Sequence, residues 1–349
     1  MAAGQTVATP LLVPSFSSRG FGAIRPDPER PEDPERSEVS ERLEFFAREI
    51  HETFLVSAYD LHHRFLEAGD NLDSQDWTAN PLSNPRVMII DSGGYEVRQG
   101  VDGGELIQDL RTPRPWDEQT YGELLDRLPE AAVNCAAVAW DRPGESYEIQ
   151  IRAAQDFLGG RSRLTPIMLL KPEDENRPHN WKLLESSASR LGFFSVIGAT
   201  EDELGSSLLD RVVAVMELRE LLRRNELDMP IHIFGALDPL FVPVYFAAGA
   251  DIFDGLTWLR YAYWHGLAVH HRQGPLLSGQ AEQRDEKRYW AVPAANLSEL
   301  QRLHSRLLRF KAENEDWSVY DDTMLGRSGE RAGDILRSIY LSALARRSF

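Results

Sequence analysis

Seven short apolar segments recur along this chain, and the stretches between them carry helical periodicity. That alternation limits the folds open to it. The segments are FLVSAY (54–59), RVMIID (86–91), CAAVAWD (135–141), LTPIMLL (164–170), FFSVIG (193–198), PIHIFG (230–235) and ADIFD (250–254). Between them lie amphipathic patterns such as TYGELLDRL, SYEIQIRAAQDFL, NWKLLESSASRL, LLDRVVAVMELRELLRR and LFVPVYFAAG. Strands buried on both faces read as near-continuous apolar runs, and strands that alternate with helices pair in parallel. Seven such units, with an eighth strand expected near GLAVHH (266–271) or RYWAVP (288–293), predict an α/β chain folded as a (β/α)8 TIM barrel. A doubly wound open sheet is the competing arrangement.

Outside this pattern, residues 1–37 contain RPDPERPEDPERSE, rich in Pro and alternating charge. They are expected to form a mobile, acidic N-terminal extension. The fold should begin near Ser40, where ERLEFFAREIHETF has helical spacing, so that 38–349 forms a single barrel domain with extra C-terminal helices from about residue 295. GGEL (103–106) is expected to be a loop over the barrel mouth.

Cys135 is the only cysteine, which excludes an internal disulfide and a cysteine-based zinc site. No apolar run approaches the roughly 20 residues needed to span a bilayer, and the N-terminus lacks a basic-then-apolar pattern. A cytoplasmic protein without membrane contact is expected. The net charge of −17 argues against a generic nucleic-acid-coating protein. The charge is uneven, however: from Thr257 onward 14 Lys and Arg face 11 Asp and Glu, against 24 and 44 before it. A local basic surface is therefore open to the last quarter.

In parallel barrels the functional groups gather at the C-terminal ends of the strands. Here those positions carry Asp91, Asp141, Lys171, Gly198, Gly235 and Asp254. For each acid the alternative role is to cap the next helix or to satisfy loop amides. Ser92-Gly93-Gly94 forms a turn that exposes backbone N–H groups and admits a flat ligand. Asp91 beside it suits proton transfer, and Asp254, after an apolar strand, suits a partly desolvated nucleophile.

These stretches resemble the tRNA-guanine transglycosylase superfamily. Asp91-Ser92-Gly93-Gly94-Tyr95-Glu96 is similar to the family's DSGGFQ, and Gly249-Ala250-Asp251-Ile252-Phe253-Asp254, followed by Arg260, to its GxDxFDxxxPTRxxR. AVAWDRP matches the strand end that reads FDE, LGFFSVIGATEDELG the strand leading to IGGLxxGE, and PIHIFGALDP the segment LMGVGxP. The motifs fall in order from Val87 to Ala268, about half of the chain. The resemblance implies base exchange in a polynucleotide: Asp254 attacks C1′ of guanosine, Asp91 manages protons, and a free 7-deazaguanine base enters as co-substrate, with no further cofactor. It places Ser92, Gly93, Gly94, Tyr95, Asp141, Lys171, Gly198 and Gly235 around the base, with Tyr95 either stacked on the purine or packed in the core. It places Arg260 against nucleic acid, and His265, read from its own position in YWHGLAVHH, is expected to contact nucleic acid as well.

The departures fall on the features that serve tRNA. The family's Cys-x-Cys-x-x-Cys…His zinc site is absent, PTR reads Trp258-Leu259-Arg260, the second arginine position holds Tyr263, the glutamine is Glu96, and Lys171 replaces an amide. The chain is most similar in this respect to the zinc-less 7-deazaguanine DNA transglycosylase group. DNA is the expected substrate, tRNA the near alternative and a free nucleoside a third. A different class, a non-catalytic accessory subunit, would keep the barrel for partner binding. A basic protein partner supplying DNA contacts would fit the acidic first part of the chain.

Other residues carry weaker signals. His265, His270 and His271 could line a phosphate groove, hold a metal or be ordinary polar residues. His62 and His63 are expected at a solvated helix start. WLRYAYWHG interleaves aromatic and basic residues, as a base-stacking surface would, although half of those aromatics suit a core. Arg302, Arg306 and Arg309 on LQRLHSRLLRF are the leading phosphate-contacting face, with a plain solvated face as the alternative.

Overall fold

The computed structural model describes residues 7–21, 23–24, 36–66, 77–97, 113–277, 279, 285–323 and 331–347. Eight parallel strands close into a barrel with helices around it: β1 (Leu11–Phe16), β2 (Thr53–Ser57), β3 (Val87–Asp91), β4 (Cys135–Val138), β5 (Thr165–Leu170), β6 (Val196–Thr200), β7 (Ile231–Phe234) and β8 (Ile252–Gly255). Each strand neighbours the next in chain order, and β1 pairs with both β8 and β2. All seven expected apolar segments become barrel strands.

The eighth strand is a correction. It lies in LLVPSF, inside the stretch expected to be a mobile tail. Val13 and Phe16 are fully buried, and Ser15, Ser17, Ser18 and Arg19 are buried with them. The Pro-rich charged run that follows dominates the composition of residues 1–37 and hides this short apolar segment. Residues 1–6 and 25–35 lie outside the described residues, as does GGEL.

Neither expected site of the eighth strand belongs to the barrel. Tyr261–Trp264 (β9) and Leu267–His270 (β10) form an antiparallel hairpin. His265 at φ 45° and Gly266 at φ 78° make its two-residue turn, the left-handed pair such a tight hairpin requires. RYWAVP instead lies inside a 28-residue helix, Asp285–Ala312, which also carries Pro293.

The chain divides into two compact units. One is built from Ser15–Leu170 with Arg190–Val196, the other from Ala8–Pro14, Lys171–Ser189 and Ile197–Phe349. The first unit holds helices α1 (Glu38–Phe46), α2 (Ala58–His62), α3 (Gly94–Val97), α4 (Glu118–Asp126) and α5 (Tyr147–Gly159). Its core includes Phe54, Met88, Ile90, Tyr121, Leu124 and Ile151, all fully buried. The hydroxyl of Tyr121 donates to the carbonyl of Val138 at 2.8 Å, so this large ring is buried without an orphaned polar atom. The side chains of Asp117 and Ser146 accept from Thr120 N and Ile149 N and so start α4 and α5.

The second unit holds α6 (Trp181–Leu184), α7 (Leu208–Arg224), α8 (Val242–Ala248), α9 (Thr257–Arg260), α10 (Asp285–Ala312) and α11 (Ala332–Arg346). NWKLLESSASRL is α-helical only over α6 and tightens into a 3-10 helix over Glu185–Phe193. Its serines offer the backbone competing hydrogen bonds, which disfavours a regular α-helix. The C-terminal helices agree with expectation but begin near 285. Among the described residues no helix is long and apolar enough to cross a membrane.

Because β1 completes the barrel, damage to it should be felt as core damage. Phe16 meets Phe54 edge to face at 5.7 Å. Phe16→Ala is expected to cost about 3–5 kcal/mol in denaturant titration, whereas a mobile tail would show no change.

Candidate functional site

In the first unit, Asp91 is the last residue of β3 and leads directly into a turn that three hydrogen bonds hold. Gly93 N donates to Asp91 Oδ2 at 3.2 Å, Gly94 N to Ser92 Oγ at 3.3 Å, and Ser92 Oγ to Asp141 Oδ1 at 2.8 Å. Ser92 is fully buried and accepts Trp116 Nε1 at its carbonyl, 2.8 Å away. The sequence needs glycine at both following positions. Gly93 has φ 87°, and a side chain there would strike Tyr59 and Trp116 at 2.7 and 2.8 Å. A Cβ at Gly94 would lie 2.5 Å from Asp141 Oδ2. Two of the three expected acids are thus brought together, with Ser92 as the bridge. Asp91 also satisfies a loop amide, so the capping role applies to it as well.

Beyond the turn, Tyr95 carries the guanidinium of Arg19 at 4.4 Å from its ring centre, and its carbonyl accepts from Arg19 Nη1. One face of the ring expected to stack on a purine is therefore already covered. Glu96 Oε1 accepts from Ser17 Oγ at 2.5 Å, while Glu96 Oε2 is shut away from solvent with no hydrogen-bond partner among the described residues. Fully buried Asp60 accepts from Ser18 N at 2.6 Å and Ser18 Oγ at 2.5 Å. Burial, reinforced by the charge of Asp60, raises Glu96 from the usual 4.5 to about 7. Sequence reasoning missed Ser17, Ser18, Arg19 and Asp60. The one signal for the first three was SFSSRGF, a polar run placed where a strand would end.

His62 and His63 were expected at a solvated helix start. They instead close α2, half-buried, with Trp116 5.3 and 6.0 Å from their ring centres. Burial lowers both pKa values, that of His63 to about 4, so both rings are uncharged at neutral pH. Burial raises the Cys135 thiol to about 12, which leaves it an inert core residue.

In the second unit, Asp254 occupies β8 and is 5% exposed. Its Oδ1 lies 2.9 Å from His232 Nε2 and accepts from Gly235 N at 3.2 Å. Gly235 has φ 83°, and the space a side chain would fill there is open out to 4 Å. An expected base-binding glycine thus offers both an open approach and a donor to the carboxylate. Gly198 does not offer the same space, because a side chain at Gly198 would run into the ring of Phe234. His232, fully buried, was missed by sequence reasoning; within PIHIFG it reads as a packed core histidine.

Lys171 was expected to recognise a base. It is 7% exposed, and its ammonium donates to Thr200 Oγ1 at 2.9 Å and to Glu203 at 3.3 Å. Its charge is matched within the fold by Glu203. Arg260 ends α9 half-buried, and His265 is exposed at the hairpin turn. His270 and His271 stack on one another at 4.5 Å. Among the described residues no group of three or more His, Cys, Asp or Glu is placed to hold a metal.

Half of the aromatics of the expected stacking surface are core, while Tyr261 and Trp264 are half-buried. Trp258 and Tyr263 are buried, and Tyr263 OH donates to Leu237 O at 2.6 Å. Buried Asn296 of α10 fixes this stretch, accepting from Tyr263 N at 2.7 Å and donating to Trp258 O and Tyr261 O at 2.6 and 2.7 Å. The expected phosphate-contacting face is also altered: Arg302 pairs with Glu299, Arg306 with Asp322 at 2.5 Å and Arg309 with Glu313 at 3.3 Å.

No protein-family model matches the chain, and no curated protein matches it either. The chemistry of the site therefore has to be argued from its own residues.

The buried acid at Glu96 has a measurable consequence. Between pH about 4.5 and 7 the folded chain keeps a proton on Glu96 that the unfolded chain releases, so stability falls as pH rises through that window. Glu96→Gln removes this titration. In melting curves the variant is expected to match the wild type near pH 4.5 and to gain on it progressively up to about pH 7. Parallel curves would mean that Glu96 titrates normally.

Proposed function

We propose that the chain is a base-exchange glycosyltransferase that replaces guanine in a polynucleotide, DNA first, with a 7-deazaguanine base. The observation that carries this reading is Asp254: a nearly buried carboxylate at the end of a barrel strand, hydrogen-bonded with His232 Nε2 and accepting from Gly235 N beside an open glycine. The resemblance of DSGGYE and GADIFD to the transglycosylase motifs supports the same assignment.

In the first step a carboxylate oxygen of Asp254 forms a bond to C1′ as the C1′–N9 bond breaks. The bonding pair leaves on N9 of guanine, and Asp91 delivers the proton that makes the base neutral. In the second step the incoming base loses its N9 proton to Asp91, and N9 attacks C1′. The ester bond breaks with its pair returning to Asp254. Splitting one difficult substitution in two is the logic of retaining glycosidases. The target base must leave its stack first, which costs a few kcal/mol.

Asp141, hydrogen-bonded to Ser92, is the second acid of the turn and suits recognition of the base's donor edge. The acidic first part of the chain favours a basic protein partner for the phosphate contacts. tRNA is the second substrate to test.

The assay is incorporation of radiolabelled guanine into DNA, tRNA or a nucleoside, with the chain alone and with candidate basic partners. Asp254→Asn is expected to lower exchange by about 10⁴-fold or more and Asp91→Asn by about 10²–10⁴-fold. Label entering none of the three substrates sinks the enzymatic reading, and exchange surviving Asp254→Asn sinks the nucleophile.

A further inference from the structure

Building on that proposed function, we infer that His232 is a positioning residue for Asp254, a neutral imidazole whose Nε2–H holds the carboxylate and eases its departure in the second step. His232 is fully buried, and its Nε2 lies 2.9 Å from Asp254 Oδ1. The other ring nitrogen, Nδ1, is buried with no hydrogen-bond partner among the described residues. These facts assign the tautomer. A proton on Nδ1, in the other neutral form or in the imidazolium, would leave a buried donor unsatisfied, which is costly. The Nε2–H form leaves only a bare, buried ring nitrogen and gives Asp254 a donor.

Neighbouring residues keep that ring in place. The phenyl group of Phe234 stacks on it, 3.8 Å between ring centres at 25°. His232 pairs in register with Gly198 on β6 and Ile252 on β8. The missing side chain of Gly198 is what makes room for Phe234. Gly198, expected to face a base, thus serves the carboxylate's donor through Phe234 and His232.

The donor acts unequally on the two steps. A hydrogen bond to a carboxylate is stronger than one to an ester oxygen. Asp254 loses its negative charge when the C1′–O bond forms and regains it when that bond breaks. The bond from His232 therefore favours breakdown of the covalent adduct and, alignment apart, opposes its formation.

The test uses the full chain, DNA and guanine. Covalent protein–DNA adduct is measured on denaturing gels, together with its rate of decay when free guanine is added. His232→Phe, which keeps an aromatic ring but no donor, is expected to slow decay on the order of 100-fold and to make adduct accumulate. His232→Gln, whose amide can reach the place of Nε2–H, is expected to restore decay to within about tenfold of the wild type. A merely structural role predicts something else: formation and decay fall together and Gln rescues neither. That pattern, or wild-type decay in His232→Phe, overturns the inference.

Nitrogen-15 spectra of histidine-labelled protein give a readout independent of turnover. The His232 ring should show a protonated Nε2 and a bare Nδ1, and the reverse pattern would overturn the assignment. If the wild type forms no adduct and exchanges no base, the parent reading has failed, and the spectra still decide whether His232 donates to Asp254.

Discussion

The hydrogen-bond ladder between β1 and β8 is the constraint on which the rest of the structure depends. Without β1 the sheet would have two free edges, one of them the strand that carries Asp254. The register sets Leu12 opposite Phe253 and Val13 opposite Asp254. A six-residue segment near the start of the chain therefore satisfies the backbone beside the carboxylate. Edge strands that stay unpaired invite pairing with other chains, and closing the barrel removes that edge. It also explains why a carboxylate can be 5% exposed at a strand end, where loops usually admit solvent.

Much of the fold was legible because strands covered on both sides by helices need apolar residues throughout. RVMIID and LTPIMLL announce themselves. LLVPSF has the same character but sits beside RPDPERPEDPER, and a compositional reading averages the two together. The hairpin at Tyr261–His270 misled for the opposite reason: two runs of aromatic and aliphatic residues look like a barrel strand until the turn at His265-Gly266 is recognised.

The site divides in the same way. Asp91, Asp141 and Asp254 are visible because an acid that ends an apolar run is unusual. Asp60 and Ser18 are 42 residues apart, and nothing local hints that one holds the other. His232 is harder still. It lies inside a strand, where a histidine is more often a satisfied core residue, and only its register beside β8 shows that its partner is Asp254. Gly198 shows a related limit. A glycine in a strand announces that something approaches closely, but the sequence does not say whether the visitor is a ligand or Phe234.

Electrostatics decide what else base exchange would require. A polynucleotide brings one charge per phosphate, and binding it depends on cations that displace its counterions. The chain carries −17 overall, and the arginines best placed by sequence, Arg302, Arg306 and Arg309, each have an acidic partner on the same surface. Lys171 is likewise matched by Glu203. A phosphate that approached these groups would have to displace a carboxylate at each one, and exposed ion pairs exchange for phosphate with little net gain. The nearly buried carboxylate of Asp254 thus lies in a unit whose sequence-favoured cations already have acidic partners. The proposed base exchange would therefore draw its phosphate contacts from other cations, for which a basic partner is the proposed source.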